Sequence, residues 1–222
     1  MFTAISLENV SKKYKNRQIF NAINMTINSG EVVGISGPNG SGKTTLLKLI
    51  LGLTPPTSGI IKIEKKKLDS KNLFAENTGF SFKEFGPLNN YSGLNNLKII
   101  GQLKKKGPDV PFTHPDNLMK LVGLDPNNAA KVKTYSLGMR QRLSIAMSLI
   151  NNPKIVIWDE PENSLDNAGK ILLQELLSNL ISQEKTIVMT SHDQEFLTHN
   201  TNTLFEVTAG RLQLILENLP HD

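Results

Sequence analysis

Apolar and polar residues alternate through Ile23, Asn24, Met25, Thr26, Ile27 and Asn28, which predicts a half-buried strand over residues 18–28. Residues 3–10 read as a second strand of the same kind. An Asn-Ser-Gly turn leads into EVVGISG, residues 31–37, a short apolar run of the sort buried in a parallel sheet. TTLLKLILGL, which follows a glycine-rich stretch, continues as a helix, so the order is strand, loop, helix. From about Asn77 to Asn151 the chain turns to helical segments punctuated by glycine and asparagine, among them GLNNLKIIGQLKKK and DNLMKLVGL. PKIVIWDE then begins a second β-rich part, an amphipathic helix follows near residues 167–183, and KTIVMTSHD is another buried strand. Apolar run, helix, apolar run predicts parallel α/β architecture. TLFEVTAGRLQLIL reads as a hairpin around Ala209-Gly210, and no internal repeat is visible.

These elements predict an α/β chain in which residues 1–76 and 152–222 form one core and residues 77–151 an inserted helical subdomain. The length of 222 residues suits one domain with such an insertion. With 38% hydrophobic and 20% charged residues the chain is in the ordinary globular range. The absence of cysteine excludes disulfides, thiolate zinc sites and thiol nucleophiles. MFTAISLENVSKKY alternates instead of offering a charged head and an apolar core, so it reads as a strand and not as a targeting peptide, and a cytoplasmic location is expected. No apolar run approaches the roughly 18 to 20 residues that cross a bilayer, so a membrane role is expected to come through a partner. A net charge of +5 suits an acidic membrane face or a nucleic acid and decides neither. The runs Lys65-Lys66-Lys67 and Lys104-Lys105-Lys106 lack interleaved aromatics on which bases stack, so both are expected to be solvated surface and no nucleic-acid partner is expected.

Gly37, Pro38, Asn39, Gly40, Ser41, Gly42, Lys43 and Thr44 match G-x-x-x-x-G-K-T in full, with Thr45 next. Glycines there let backbone N–H groups wrap phosphate oxygens, Lys43 can reach β- and γ-phosphates, and the Thr44 hydroxyl can hold Mg²⁺. Asp159 and Glu160 end an apolar strand, where an open α/β sheet presents its ligand-binding groups. Asp159 suits the Mg²⁺ shell, and Glu160 suits polarising a water for in-line attack. A bare acidic pair can also merely complement a helix dipole; the phosphate loop upstream favours catalysis. His192 follows TIVMTS at the tip of the last buried strand, where it could bond a γ-phosphate oxygen or the attacking water. Ser136 and Gly138, in KTYSLGMRQRLS, precede a basic helix-forming run, as at an anion-binding helix N-terminus.

GPNGSGKTT, YSLGMRQR, IVIWDEPENSLD and TSHD, in this order and spacing, resemble the ATP-binding-cassette ATPases over essentially the whole chain. The resemblance implies a P-loop NTPase (RecA-like) core with an N-terminal antiparallel β region and an inserted α-helical subdomain. It implies ATP and Mg²⁺, and pairing with a second cassette ATPase subunit, identical or different. Cassettes of the family pair head to tail, and the signature Ser136–Gln141 caps the γ-phosphate held by the other cassette. Tyr14 resembles the aromatic that stacks on adenine, and Asp166 the aspartate that senses the partner. A transmembrane permease on another chain is implied, with the cassette at the inner face of the cell membrane and export the favoured direction. A cytosolic cassette acting on nucleic acid or ribosomes, or a low-turnover regulatory subunit, would be the alternatives. Two departures stand out. Tyr135-Ser136-Leu137-Gly138-Met139 replaces Leu-Ser-Gly-Gly-Gln, a variant similar to cassettes of the bacitracin-export and gliding type, and Lys83 stands where the family's glutamine loop has glutamine or an acid.

Overall fold

The alternation at Ile23, Met25 and Ile27 is realised in a strand whose apolar positions are buried and whose polar neighbours Asn24 and Thr26 are exposed. In the computed structural model, which describes residues 2–69, 74–103 and 114–217, the chain runs through β1 (Thr3–Tyr14), β2 (Arg17–Asn28), β3 (Val32–Ser36), α1 (Lys43–Leu51), β4 (Ser58–Ile63), β5 (Lys66–Lys67) and β6 (Thr78–Ser81). It continues through α2 (Gly93–Leu103), α3 (Pro115–Leu121), α4 (Leu137–Leu149), β7 (Ile155–Asp159), α5 (Asn167–Ser182), β8 (Thr186–Thr190), α6 (Gln194–Asn200), β9 (Thr203–Thr208) and β10 (Arg211–Glu217). By packing the residues fall into two units, Met1–Thr78 with Glu184–Asp222, and Gly79–Gln183.

In the first unit β1 is the centre of an antiparallel sheet ordered β2-β1-β4-β5. It pairs Leu7 with Met25 and Tyr14 with Arg17 on one side, and Leu7 with Ile61 on the other. The strand runs four residues past the predicted end at Val10, and it does so through bulges: Asn9 and Ala22 both have positive φ, and the register shifts between Leu7 and Val10. The second sheet of this unit carries β3 between β8 and β9, parallel to both, with β10 antiparallel at the edge of β9. All five residues of β3 and all five of β8 are buried, as the unbroken apolar runs require of strands covered on both faces. The β9–β10 hairpin turns through Ala209 (φ 49°) and Gly210 (φ 75°), the two consecutive positive φ values that match a two-residue turn to the strand twist.

The second unit is built around α4 and β7. Trp158, fully buried on β7, donates its indole N–H to Ser148 Oγ at 2.8 Å, and Ser81 on β6 shares a 2.7 Å hydrogen bond with Ser144 on α4. Leu165, Leu172, Leu173 and Leu176 line a small cavity with Ile145 and Val122, which places α5 against α4 and the end of α3. The second unit spans Gly79–Gln183, whereas the sequence boundaries at 76/77 and 151/152 set apart residues 77–151 alone. Residues 77–151 also hold a strand, β6, that their helical pattern conceals.

Lys65, Lys66 and Lys67 are exposed, as expected. Lys66 pairs with Glu76 at 2.5 Å, which raises its pKa from the ordinary lysine value through the hydrogen bond and the charge of that carboxylate. Lys104-Lys105-Lys106 lie outside the described residues. No helix among the described residues is long and apolar enough to cross a membrane.

Candidate active site

The loop between β3 and α1 is shaped by glycines that have no equivalent replacement. Gly37 (φ 137°), Gly40 (φ 75°) and Gly42 (φ 117°) all occupy the left-handed half of backbone space, and a Cβ on Gly37 would run into the Val207 carbonyl. Gly42 sits immediately ahead of α1, against Ile19 and the Phe20 ring, and no side chain caps that helix start. Lys43 is only 6% exposed, and its ammonium is turned back on the loop, donating to the carbonyls of Gly37 at 2.7 Å and Pro38 at 3.3 Å. The Ser41 amide closes the turn onto the Pro38 carbonyl at 3.1 Å, while the Ser41 hydroxyl is buried with no hydrogen-bond partner. An orphaned buried hydroxyl beside a lysine and uncapped amides fits a phosphate group, whose oxygens would satisfy all three. Pro38, Asn39 and Gly40 are exposed at the tip, and Thr44 and Thr45 stand in the first turn of α1.

His192 belongs to the same end of the same sheet. The parallel register aligns Ile35 with Thr190, so Gly37 and His192 both lie just past the carboxyl ends of neighbouring strands, the edge at which open α/β sheets bind ligands. Ser191 is fully buried, its amide donating to Ile35 O at 3.3 Å and its hydroxyl accepting from the Asp193 amide at 2.9 Å, and His192 projects from this anchored turn as an exposed side chain. Asp193 caps α6 through the Phe196 amide at 3.0 Å.

Tyr14 ends β1 with its ring 45% exposed. Its hydroxyl is 3.4 Å from Thr54 Oγ1. Directly across the hairpin, Arg17 donates to the Gly40 carbonyl at 3.3 Å, tying this turn to the phosphate loop.

In the second unit Asp159 is the last residue of β7, and Glu160 follows with φ 50°. The Glu160 carboxylate accepts from the Asn163 side-chain amide at 3.2 Å. Ser136 is the N-cap of α4, its hydroxyl accepting from the Met139 amide at 3.1 Å, and Leu137 beside it is 72% exposed. Gly138 lies where a Cβ would come within 3.0 Å of the Ser164 carbonyl. Asp166 is exposed and caps α5 by accepting from the Gly169 amide at 2.8 Å, a local role that the sequence resemblance leaves out. Lys83 lies exposed on a 3₁₀ turn, Lys83–Phe85, whose Phe85 stacks edge-on with Phe80 and Phe82.

Sequence reasoning omits two neighbours of the site, Arg17 and Lys12, and one contact of Gln141. Arg17 was recoverable from hairpin pairing with Tyr14, and Lys12 from its place two residues before Tyr14 on one strand face. Gln141, already within the signature Ser136–Gln141, donates to the Glu160 and Pro161 carbonyls, a contact made by tertiary packing that no local pattern signals.

The phosphate loop, signature turn and acidic strand end lie within residues 20–163, which are matched by a family model described as ABC transporter. The chain belongs to the ABC transporter ATPase family. The cassette is 35% identical to a lantibiotic transport ATP-binding protein, SrtF, of Streptococcus pyogenes, covering 95% of this chain and 89% of that one. It is 34% identical to an uncharacterized ABC transporter ATP-binding protein, YybJ, of Bacillus subtilis, with 94% of each chain covered. Among solved structures it resembles an ATP-binding cassette in a dimeric post-hydrolysis state bound to ADP and Pi, with TM-score 0.85, 29% identity, and 94% of this chain and 96% of that one covered. The cassette is accordingly an ATP-binding ATPase subunit with the α/β P-loop fold expected from its sequence.

Proposed function

We propose that the cassette dimerises around two Mg-ATP molecules and drives export through a separate membrane permease. The phosphate loop carries this reading: a buried hydroxyl without a partner, a lysine folded onto loop carbonyls, and left-handed glycines, all at the carboxyl end of a parallel strand. Gly37 to Thr45 bind the phosphates, Tyr14 stacks on the base, and His192 faces the γ-phosphate end. Thr44 and Asp159 would hold Mg²⁺. Among the described residues no group of three or more His, Asp or Glu side chains could hold a metal alone, which fits Mg²⁺, since that ion takes one or two protein ligands and completes its shell with phosphate and water. The ion supplies neutralisation of phosphate charge; Glu160 accepts the proton of the attacking water. Ser136 and Gly138 of one cassette complete the site of the other, and Asp166 faces that partner.

Export is favoured because the relatives include lantibiotic transport and Nod factor export ATP-binding proteins. A protein partner has apolar surface to meet in the second unit, where Phe85, Leu88 and Tyr91 are each about half exposed. The test is affinity purification of the tagged chain from detergent-solubilised membranes, with Mg-ATP hydrolysis measured for native and Lys43→Ala proteins. A multi-span protein should co-purify, and hydrolysis should vanish in the variant. Recovery with ribosomal RNA and no membrane protein would support the nucleic-acid alternative.

A further inference from the structure

Lys12 is an unusual lysine. It is 7% exposed, yet its ammonium is held by a carbonyl, that of Pro55 at 2.7 Å, and by an aromatic face, that of Tyr14, whose ring centroid is 4.6 Å away. Burial of an ammonium is costly unless something replaces water, so the chain keeps this charge where an uncharged side chain would pack at less expense. The neighbouring Lys13, pointing to the other side of the strand, is exposed.

We propose that Lys12 is a specificity-determining residue of nucleotide binding, a cationic backing that holds Tyr14 with one face covered and its other face presented to the adenine base. The inference rests on the reading of Tyr14 as the base platform. Two effects follow from the geometry. An ammonium over one face draws π density toward itself, so the far face becomes less electron-rich and stacks better on an electron-rich purine. The ring is also already ordered: Lys12 lies against one face, and the Tyr14 hydroxyl meets Thr54 Oγ1, so less side-chain freedom remains to be lost when a base arrives. Thr54 and Pro55 follow the end of α1, whose first turn continues from the phosphate loop, and Arg17 reaches Gly40 from the hairpin side. The base platform is thereby fixed to the phosphate site from both directions, and Lys12 is the group that sets the electronic character of its surface.

The experiment compares dissociation constants for Mg-ATP and for ribose 5′-triphosphate, which lacks the base, by calorimetry on native, Lys12→Gln, Lys12→Met, Lys12→Arg and Tyr14→Ala chains. Lys12→Gln is the variant least disturbing to the fold, since its amide can still donate toward Pro55. Gln and Met should each weaken ATP by about three- to tenfold while ribose triphosphate stays within about twofold, and Arg should restore ATP to about twofold of native. In steady state KM for ATP should rise with kcat nearly kept. Equal weakening of both ligands, unchanged ATP affinity in Lys12→Gln, or failure of Arg to restore it would each overturn the proposal. If Tyr14→Ala weakens ATP and Lys12→Gln does not, the platform stands and Lys12 is removed from it. Unchanged ATP affinity in Tyr14→Ala would remove the platform and Lys12 together.

Discussion

The Gln141 side-chain amide donates to the backbone carbonyls of Glu160, at 3.4 Å, and Pro161, at 3.2 Å, so the helix that begins after Ser136 holds the turn that carries Glu160, the proposed general base. Glu160 needs holding, because a left-handed conformation costs a residue with a side chain about 1–2 kcal/mol. Gln141→Ala should therefore lower kcat by about two- to tenfold, the worth of one ordinary net hydrogen bond, and leave KM for ATP within about twofold. Steady-state kinetics check this; a raised KM with native kcat would assign Gln141 to binding instead.

Glu160→Gln keeps the shape of the side chain and removes its basicity. ATP binding should survive while hydrolysis slows on the order of 10² to 10⁴, the usual contribution of a general base. With Mg-ATP present, size-exclusion chromatography should show a trapped dimer. A variant that hydrolyses at the native rate and elutes only as a monomer would refute the assignment.

Lys43 and Ser136 should behave as halves of one site contributed by two chains. Lys43→Ala and Ser136→Arg chains are each expected to be inactive, while their mixture regenerates dimers with one composite site intact. Hydrolysis recovered on mixing, followed against total protein concentration, is the expected result. A cross-link between the phosphate loop and the signature within one chain would show that the site is not shared.

The sequence made the local devices legible and the long-range ones not. The phosphate loop, the Ala209-Gly210 turn and the buried runs of β3 and β8 follow from residue types read in a window of a few positions. β4 escaped notice because its six residues show only Ile60, Ile61 and Ile63, and the polar end of β1 because bulges near Asn9 interrupt its alternation. The Lys12–Pro55 contact and the reach of Gln141 to Glu160 join segments 43 and 19 positions apart, and no local periodicity reports either contact.

By the sequence resemblance, Lys83 stands where a glutamine would be expected to approach Mg²⁺. An ammonium about 4 Å from the ion would meet repulsion of several kcal/mol even at an effective dielectric of about 20, and the side chain is instead exposed on its 3₁₀ turn. Lys83→Gln should keep nucleotide affinity within about threefold and raise Mg-dependent turnover, by an amount that tells how far the missing ligand limits the native chain. An order-of-magnitude fall in turnover of the isolated cassette would show that Lys83 itself contacts phosphate.

Gly138 leaves so little room beneath the Ser164 carbonyl that a Cβ there would come to 3.0 Å of that oxygen. Ser164 stands one residue after Asn163, whose amide grips the Glu160 carboxylate, and two before Asp166, which starts α5. The segment beneath Gly138 therefore also carries the hydrogen bond to the Glu160 carboxylate and the cap of α5. The missing side chain at position 138 thus lets the start of α4 and the loop ahead of α5 come together, and a larger residue there would have to displace the loop that also carries Asn163.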